Sequence, residues 1–259
     1  MSGPMRLHLF RGGIVRMNKV VFTPGRGEGT ILDSPMPFYV IRHPRGTLLI
    51  DTGTHPLVIT DPAARWGGLA KAFVPVMKPG EDVVPSLQSI GVEVRDVTLV
   101  VNSHLHMDHA GGNEFFTHCP VHVHARELAF VREHPQLEGK GYFKADWDHP
   151  LDYRTFEGEW DVFGDGRVVF FESFGHTPGH MACVLRLDRT GTVVLACDTL
   201  PLMENLDLPD LTPRNAWKGE PLHASVMAIQ GWRERGAMVI SGHDPAQWAT
   251  LRIGAVAYD

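Results

Sequence analysis

The stretch that most constrains this chain is residues 97–113, V-T-L-V-V-N-S-H-L-H-M-D-H-A-G-G-N. Residues 98–101 are a short β-branched, apolar run, the pattern of a buried strand. His104 and His106 follow two residues apart. In extended chain such positions face the same side, so both imidazoles can converge on one metal. Asp108 and His109 come next, on backbone that must leave the strand because Gly111 and Gly112 end it. That turn can aim a carboxylate and a third imidazole at a second metal beside the first. The H-x-H-x-D-H run thus supplies half of a two-metal site.

Composition narrows the partners. A formal net charge of -6 argues against a nucleic-acid partner held by a basic surface. No apolar run reaches the roughly 18 residues of a membrane span, and residues 1–10 lack the apolar core of a signal peptide. Cys119, Cys183 and Cys197 are odd in number and form no C-x-x-C pair, which fits a reducing compartment; a cytoplasmic location is expected. Cys183 and Cys197 fall in apolar, strand-like runs and read as core. The length admits one large or two small domains, and no linker or repeat is visible. Histidine, at 15, is the outlier.

Residues 5–21 read as a strand or hairpin and 23–37, rich in Gly and Pro, as a loop. Residues 38–43 and 47–50 flank Pro44-Arg45-Gly46 and read as a hairpin ending in Asp51, either a partner for a metal-bound histidine or a turn former. Residues 54–80 are apolar and breaker-rich, as in a pocket wall or lid, or else hold a short helix at 63–73. Residues 85–90 and 125–133 read as helices, and 121–124 as a strand whose His122 and His124 have no acid in a following turn. Residues 134–166 read as a loop-rich insertion. Strands are expected at 167–173, 181–187, 192–197 and 237–241, with a helix at 222–235. His104, His180, Asp198 and His243 each lie shortly past an expected strand end. Ligand sites of α/β sheets gather at such carboxyl ends.

Taken in order, H-x-H-x-D-H, G-H-T-P-G-H (residues 175–180), an Asp at a strand end and G-H-D (242–244) resemble the metallo-β-lactamase superfamily over nearly the whole chain. The resemblance implies an α/β fold, a four-layer αββα sandwich, with a dinuclear metal site at one sheet edge. It implies a single domain over 1–259, with pocket-forming insertions at 54–80 and 134–166. Carried over by position, His104, His106 and His180 would bind the first metal. Asp108, His109 and His243 would bind the second, and Asp198 would bridge them. His176 and Asp51 would support the ligands without binding metal. Imidazoles and carboxylates without a thiolate suit zinc, with iron or manganese as alternatives. Two cations about 3.5–4 Å apart can hold a water whose pKa falls to about 7, and that hydroxide attacks an electrophilic carbonyl or phosphorus. Asp108 would take or relay a proton.

Within the superfamily, a histidine at position 106 weighs against the flavodiiron relatives, and Asp198 against true β-lactamases. Glyoxalase-II-type thioesterases need a basic C-terminal region, where residues 244–259 offer only Arg252. The N-acyl homoserine lactonase branch is the nearest by length and ligand set. That branch has a tyrosine three residues after the bridging Asp, and here the position is Pro201. The expected substrate is therefore a small lactone other than a simple acyl homoserine lactone, the alternative being a thioester, another ester or a phosphotriester. Either the metals carry the oxyanion alone, the favoured route, or another donor reaches in, with Tyr39, Tyr142, Tyr153 and His223 as the candidate replacements for the missing tyrosine.

Overall fold

The computed structural model describes residues 4–259. One mixed sheet is built from β1 (Arg6–Asn18), β2 (Ile31–His43), β3 (Gly46–Ile50), β4 (Val74–Val76), β5 (Leu99–Val101), β6 (Val121–His124) and β7 (Tyr153–Phe156). Its order is β4-β1-β2-β3-β5-β6-β7, with β3, β5, β6 and β7 parallel. The other sheet comprises β8 (Trp160–Asp161), β9 (Val168–Glu172), β10 (Met181–Leu187), β11 (Gly191–Cys197) and β12 (Met238–Ser241). Its order is β12-β11-β10-β9-β8, and β11 runs parallel to β12. The helices are α1 (Pro62–Trp66), α2 (Val83–Ser89), α3 (Ala125–Glu133), α4 (Lys144–Trp147), α5 (Met203–Asp207), α6 (Gly219–Glu234) and α7 (Pro245–Trp248). No helix among the described residues is long and apolar enough to cross a membrane.

The strand period of two sorts side chains into layers. Leu7, Leu9, Ile41, Leu48 and Ile50 of one sheet meet Phe170, Cys183, Leu185, Val193 and Ile240 of the other in one fully buried cluster. The alternate residues Phe38, Val40, Leu49 and Val100 face outward onto Val83 and Leu87 of α2. On the far side Val184, Val194 and Val239 are covered by Leu222, Val226 and Ile229 of α6. Helix, sheet, sheet and helix thus stack as the four-layer αββα sandwich.

The hairpin at Pro44-Arg45-Gly46 forms as expected, with Tyr39 opposite Ile50. Two expectations need correction. Residues 31–37 are not loop but the first half of β2, despite Pro35 and Pro37. That half has no β3 partner, and the two prolines flank the irregularity between Arg11 and Ile14 of β1, where a missing N–H costs little. Residues 63–73 are not one helix: α1 stops at Gly67, which has φ 54°, and a 3-10 helix, Gly67–Lys71, replaces it. The insertion at 134–166 holds α4, β7 and β8.

One buried ion pair ties the two insertions together. Arg65 of α1 donates from Nε to Asp146 Oδ1 of α4 at 2.9 Å, and its Nη2 donates to Ala145 O at 2.7 Å and Gly111 O at 3.2 Å. Burial pushes the Asp146 carboxyl up to about 7, against the pull of Arg65. Removing one partner of a buried pair leaves the other uncompensated. Arg65→Ala is therefore expected to cost about 3–5 kcal/mol in denaturant unfolding.

Candidate metal centre

The carboxyl ends of β3, β5, β9, β11 and β12 come together at one edge of the sandwich. Asp51 follows β3, the H-x-H-x-D-H turn follows β5, His176 follows β9, Asp198 follows β11 and His243 follows β12. Asp51 and Cys197, at φ 58° and 45°, hold a left-handed conformation that side chains rarely adopt. Backbone strain is thus concentrated beside these acids.

Two groups of donor atoms lie side by side. The first is His104, His106, His176 and Asp198. His106 Nδ1 is 2.9 Å from His104 Nε2 and 3.0 Å from His176 Nε2, and Asp198 Oδ2 is 3.2 Å from His176 Nε2. The second is Asp108, His109 and His243. Asp198 faces it as well, with Oδ1 3.1 Å from His109 Nε2 and Oδ2 3.1 Å from His243 Nε2. One carboxylate therefore touches both groups.

Hydrogen bonds behind the rings decide which nitrogen faces inward. His109 Nδ1 bonds the Asp51 carboxylate at 2.8 Å, and Asp51 also accepts from Ser103 N and Oγ. His243 Nδ1 donates to Pro35 O at 2.7 Å. In both rings this turns Nε2 toward the centre as a lone pair for a cation.

The placement of the G-H-T-P-G-H histidines reverses the expectation. His176, read from sequence as a supporting group, is in the first donor group, and His180 is not. Both nitrogens of His180 are committed to protein. Nε2 accepts Asp198 N–H at 3.1 Å, while Nδ1 bonds Ser173 Oγ at 2.8 Å and Thr199 Oγ1 at 3.2 Å. His180 thus holds the backbone of Asp198. The spacing alone offers two histidines four residues apart and no means of choosing between them.

The electrostatics fit divalent cations. Burial lowers the pKa of His104 and His176 well below the ordinary value, and that of His106 to about 4, so these rings are neutral, the form in which an imidazole can bind a cation. For His109 and His243 burial acts the same way, but the charges of Asp198 and Asp108 outweigh it and raise both. The acids demand positive charge that protons supply when metal does not. His109 Nε2 and Asp198 Oδ1 are buried 3.1 Å apart but outside hydrogen-bond geometry, and no other protein group satisfies either, an arrangement suited to a cation between them.

Sequence reading passed over Glu127. This fully buried carboxylate on α3 accepts from Leu105 N at 3.1 Å, between His104 and His106, and from Gly179 N at 3.1 Å, between Thr177 and His180. Tyr142 Oη also donates to it at 2.9 Å, and the Tyr142 ring lies 4.4 Å from that of His106. It clamps two ligand loops together. The available signal was an acid on the first turn of a helix that follows a buried strand.

The donor groups open into a cavity of about 340 Å³. Val15, Met17, Phe22, Met36, Trp66, Leu69, Phe73 and Met107 make its apolar wall. Trp66 to Phe73 come from the 54–80 segment, and Gly139, Lys140 and Gly141 from the 134–166 segment. None of the four candidate replacements for the tyrosine lines it. Tyr39 is in the core between the sheets, Tyr142 bonds Glu127, Tyr153 bonds Trp147 O, and His223 pairs with Asp210 in solvent.

Residues 37–243 match the metallo-β-lactamase superfamily. An N-acyl homoserine lactonase, AttM, of Azorhizobium caulinodans is 31% identical over 261 residues, covering 98% of this chain and 99% of that protein. The N-acyl homoserine lactonase AiiA of Bacillus thuringiensis subsp. kurstaki is 27% identical over 233 residues, covering 89% and 88%. Among solved structures, an N-acyl homoserine lactone hydrolase with the product N-hexanoyl-L-homoserine at its catalytic metal centre superposes with a TM-score of 0.87, at 25% identity and 98% coverage of both chains.

Metal analysis separates the two histidines. His176→Ala is expected to lower metal content. His180→Ala is expected to keep metal and to lose about 1–3 kcal/mol of stability through unpaired buried groups. Glu127→Gln puts a donor where three donors converge, so it should weaken the first group: chelator competition should show one of two metals released about tenfold more readily, about 1.4 kcal/mol.

Proposed function

The chain belongs to the metallo-β-lactamase superfamily, and on that premise we propose a hydrolase that uses two zinc ions to open a lactone ring. One observation carries the reading: two donor groups share Asp198 at the floor of an apolar cavity sized for a small molecule. His104, His106 and His176 would hold one ion, Asp108, His109 and His243 the other, and Asp198 both. The donor set also admits iron or manganese. Bound at these residues, the ions supply a water-derived nucleophile at neutral pH and polarise the carbonyl.

The residues of the chain do the rest. Asp51 and the Pro35 carbonyl fix two imidazoles in the tautomer that faces inward. The apolar wall excludes bulk water and takes the hydrocarbon part of the substrate. Asp108, at the cavity surface, holds a proton at its carboxylate while the ring opens and returns it to the leaving alkoxide. The segments 54–80 and 134–166 set acyl or ring specificity through the residues they place in that wall. Pro201 is buried and its carbonyl accepts His243 N–H at 2.8 Å, so it serves the ligand loop rather than the substrate. We place the enzyme in the cytoplasm, supported by three unpaired cysteines.

The names of the relatives support a lactone and favour acyl homoserine lactones over the narrower expectation drawn from Pro201. A panel of zinc-loaded reactions decides: acyl homoserine lactones, other lactones, thioesters, β-lactams and phosphotriesters. The largest kcat/KM is expected on a lactone, and in labelled water the label should enter the product carboxylate. A thioester or phosphotriester turned over faster than every lactone would replace this reading by the alternative one.

A further inference from the structure

The connection between β1 and β2, residues 19–30, reaches the second donor group through Phe22. It opens with a 3-10 turn, Lys19–Val21, and after Phe22 runs T-P-G-R-G-E-G-T, in which Gly25, Gly27 and Gly29 all have positive φ. Glycine loses more conformational freedom on ordering than any other residue, so this strap needs outside contacts to hold one conformation. Phe22 is nevertheless only 2% exposed, and its ring is stacked on that of His243, with centroids 5.3 Å apart and planes 10° from parallel. The bond from His243 Nδ1 to Pro35 O holds the edge of the imidazole, and Phe22 holds its face. A ring fixed at both keeps Nε2 aimed at one point.

The outside contacts come from α5 and the residues after it. The Glu204 carboxylate takes Lys19 Nζ at 2.6 Å on one oxygen and Arg26 Nε at 2.5 Å on the other. Those two cations hold its carboxyl below the usual carboxylate range. The Lys19 stem crosses Gly27 so closely that a Cβ there would meet its Cδ at 2.8 Å. Asn205, 2% exposed, donates from Nδ2 to Phe22 O at 3.0 Å. Arg214 N donates to Val21 O at 2.7 Å, in a segment whose Trp217 N and Lys218 N bond His176 O and Gly175 O and whose Asn215 lines the cavity. In turn α5 is tied to the loop that carries His243: Gly242 N donates to Leu200 O, His243 N to Pro201 O and Met203 N to Asp244 Oδ2, at 2.9, 2.8 and 2.9 Å. Ligand loop, helix and strap thus close into one ring of contacts, and Glu204 supplies its ionic link.

We propose that Glu204 is a positioning residue for the second donor group: by pairing with Lys19 and Arg26 it keeps Phe22 seated on the His243 ring. This rests on the two-metal reading and adds to it a residue outside both the cavity and the ligand set. The role differs from general stabilisation of the fold. Glu204, Lys19 and Arg26 stay partly exposed, and ion pairs of that kind contribute little to the free energy of unfolding. They bias a local equilibrium instead, since a glycine-rich connection opens at far lower cost than the sheets behind it. With the strap open, His243 keeps its bond to Pro35 O but loses the contact on its face, and is held on target less of the time. Salt screens the pairs, so the second donor group holds its ion less firmly as ionic strength rises.

The test follows the His243 ring itself, by heteronuclear NMR of the full-length protein purified in zinc. The Nδ1 proton that His243 donates to Pro35 O reports on the ring, and the one between His109 Nδ1 and Asp51 is the control. Glu204→Gln should speed solvent exchange of the His243 proton about tenfold and leave the His109 proton within about twofold. Phe22→Leu should do the same with the ion pairs intact. A chelator should take one of two metals about three- to tenfold faster from either variant than from wild type. Added salt should speed that release in wild type and add little in Glu204→Gln. An unchanged His243 proton in Glu204→Gln overturns the proposal, as does equal loosening of both protons, which is what a loss of general stability would give. Wild type that takes up fewer than two zinc ions removes the two-metal reading, and the proton exchange still decides the role of Glu204.

Discussion

Asp198 sets its two carboxylate oxygens among the rings of His104, His109, His176 and His243, at 3.9, 3.1, 3.2 and 3.1 Å, while only 3% exposed. A carboxylate so desolvated is tolerable only if positive charge stands beside it. The surrounding imidazoles respond in two ways, some held neutral by burial and some held charged by the acids. The bonds that fix three of these rings, from Asp51, Pro35 O and Ser103, lead outward into the ends of the strands. The αββα frame can be read as the rigid support this charge arrangement requires, since a small displacement of any strand end would leave a charge unpaired.

Much of the frame was legible in the sequence because its signals are local. The β-branched run before His104, the Pro44-Arg45-Gly46 turn and the glycines that close the metal-binding turn each state a backbone geometry within a few residues. The H-x-H spacing likewise needs no knowledge of the rest of the chain. Residues 31–37 misled because proline reports only that an N–H is missing. Whether a strand needs that N–H depends on which neighbour lies alongside, and here β3 stops short of it.

The exchange of His176 for His180 has a similar origin. Both follow a strand, both are buried, and each has a partner of the right chemistry. They differ in what stands behind them: Ser173, Thr199 and the Asp198 amide take up one ring, and nothing takes up Nδ1 of the other. Those partners come from another part of the chain. Glu127 went unnoticed for the same reason. Its role consists of bonds to Leu105, Gly179 and Tyr142, which the fold alone assembles.

The segment around Asn215 is fastened through main-chain groups, from Arg214, Trp217 and Lys218 to Val21, His176 and Gly175. Peptide groups are the same whichever side chain they carry, so the backbone there is anchored independently of what occupies position 215. Evolution can therefore sample that position without risking the metal-binding loop beneath it. The lining of the cavity could then change there while the backbone that carries His176 keeps its place. Variation would then collect at this one rim position, and the histidine and aspartate framework would stay under strict constraint.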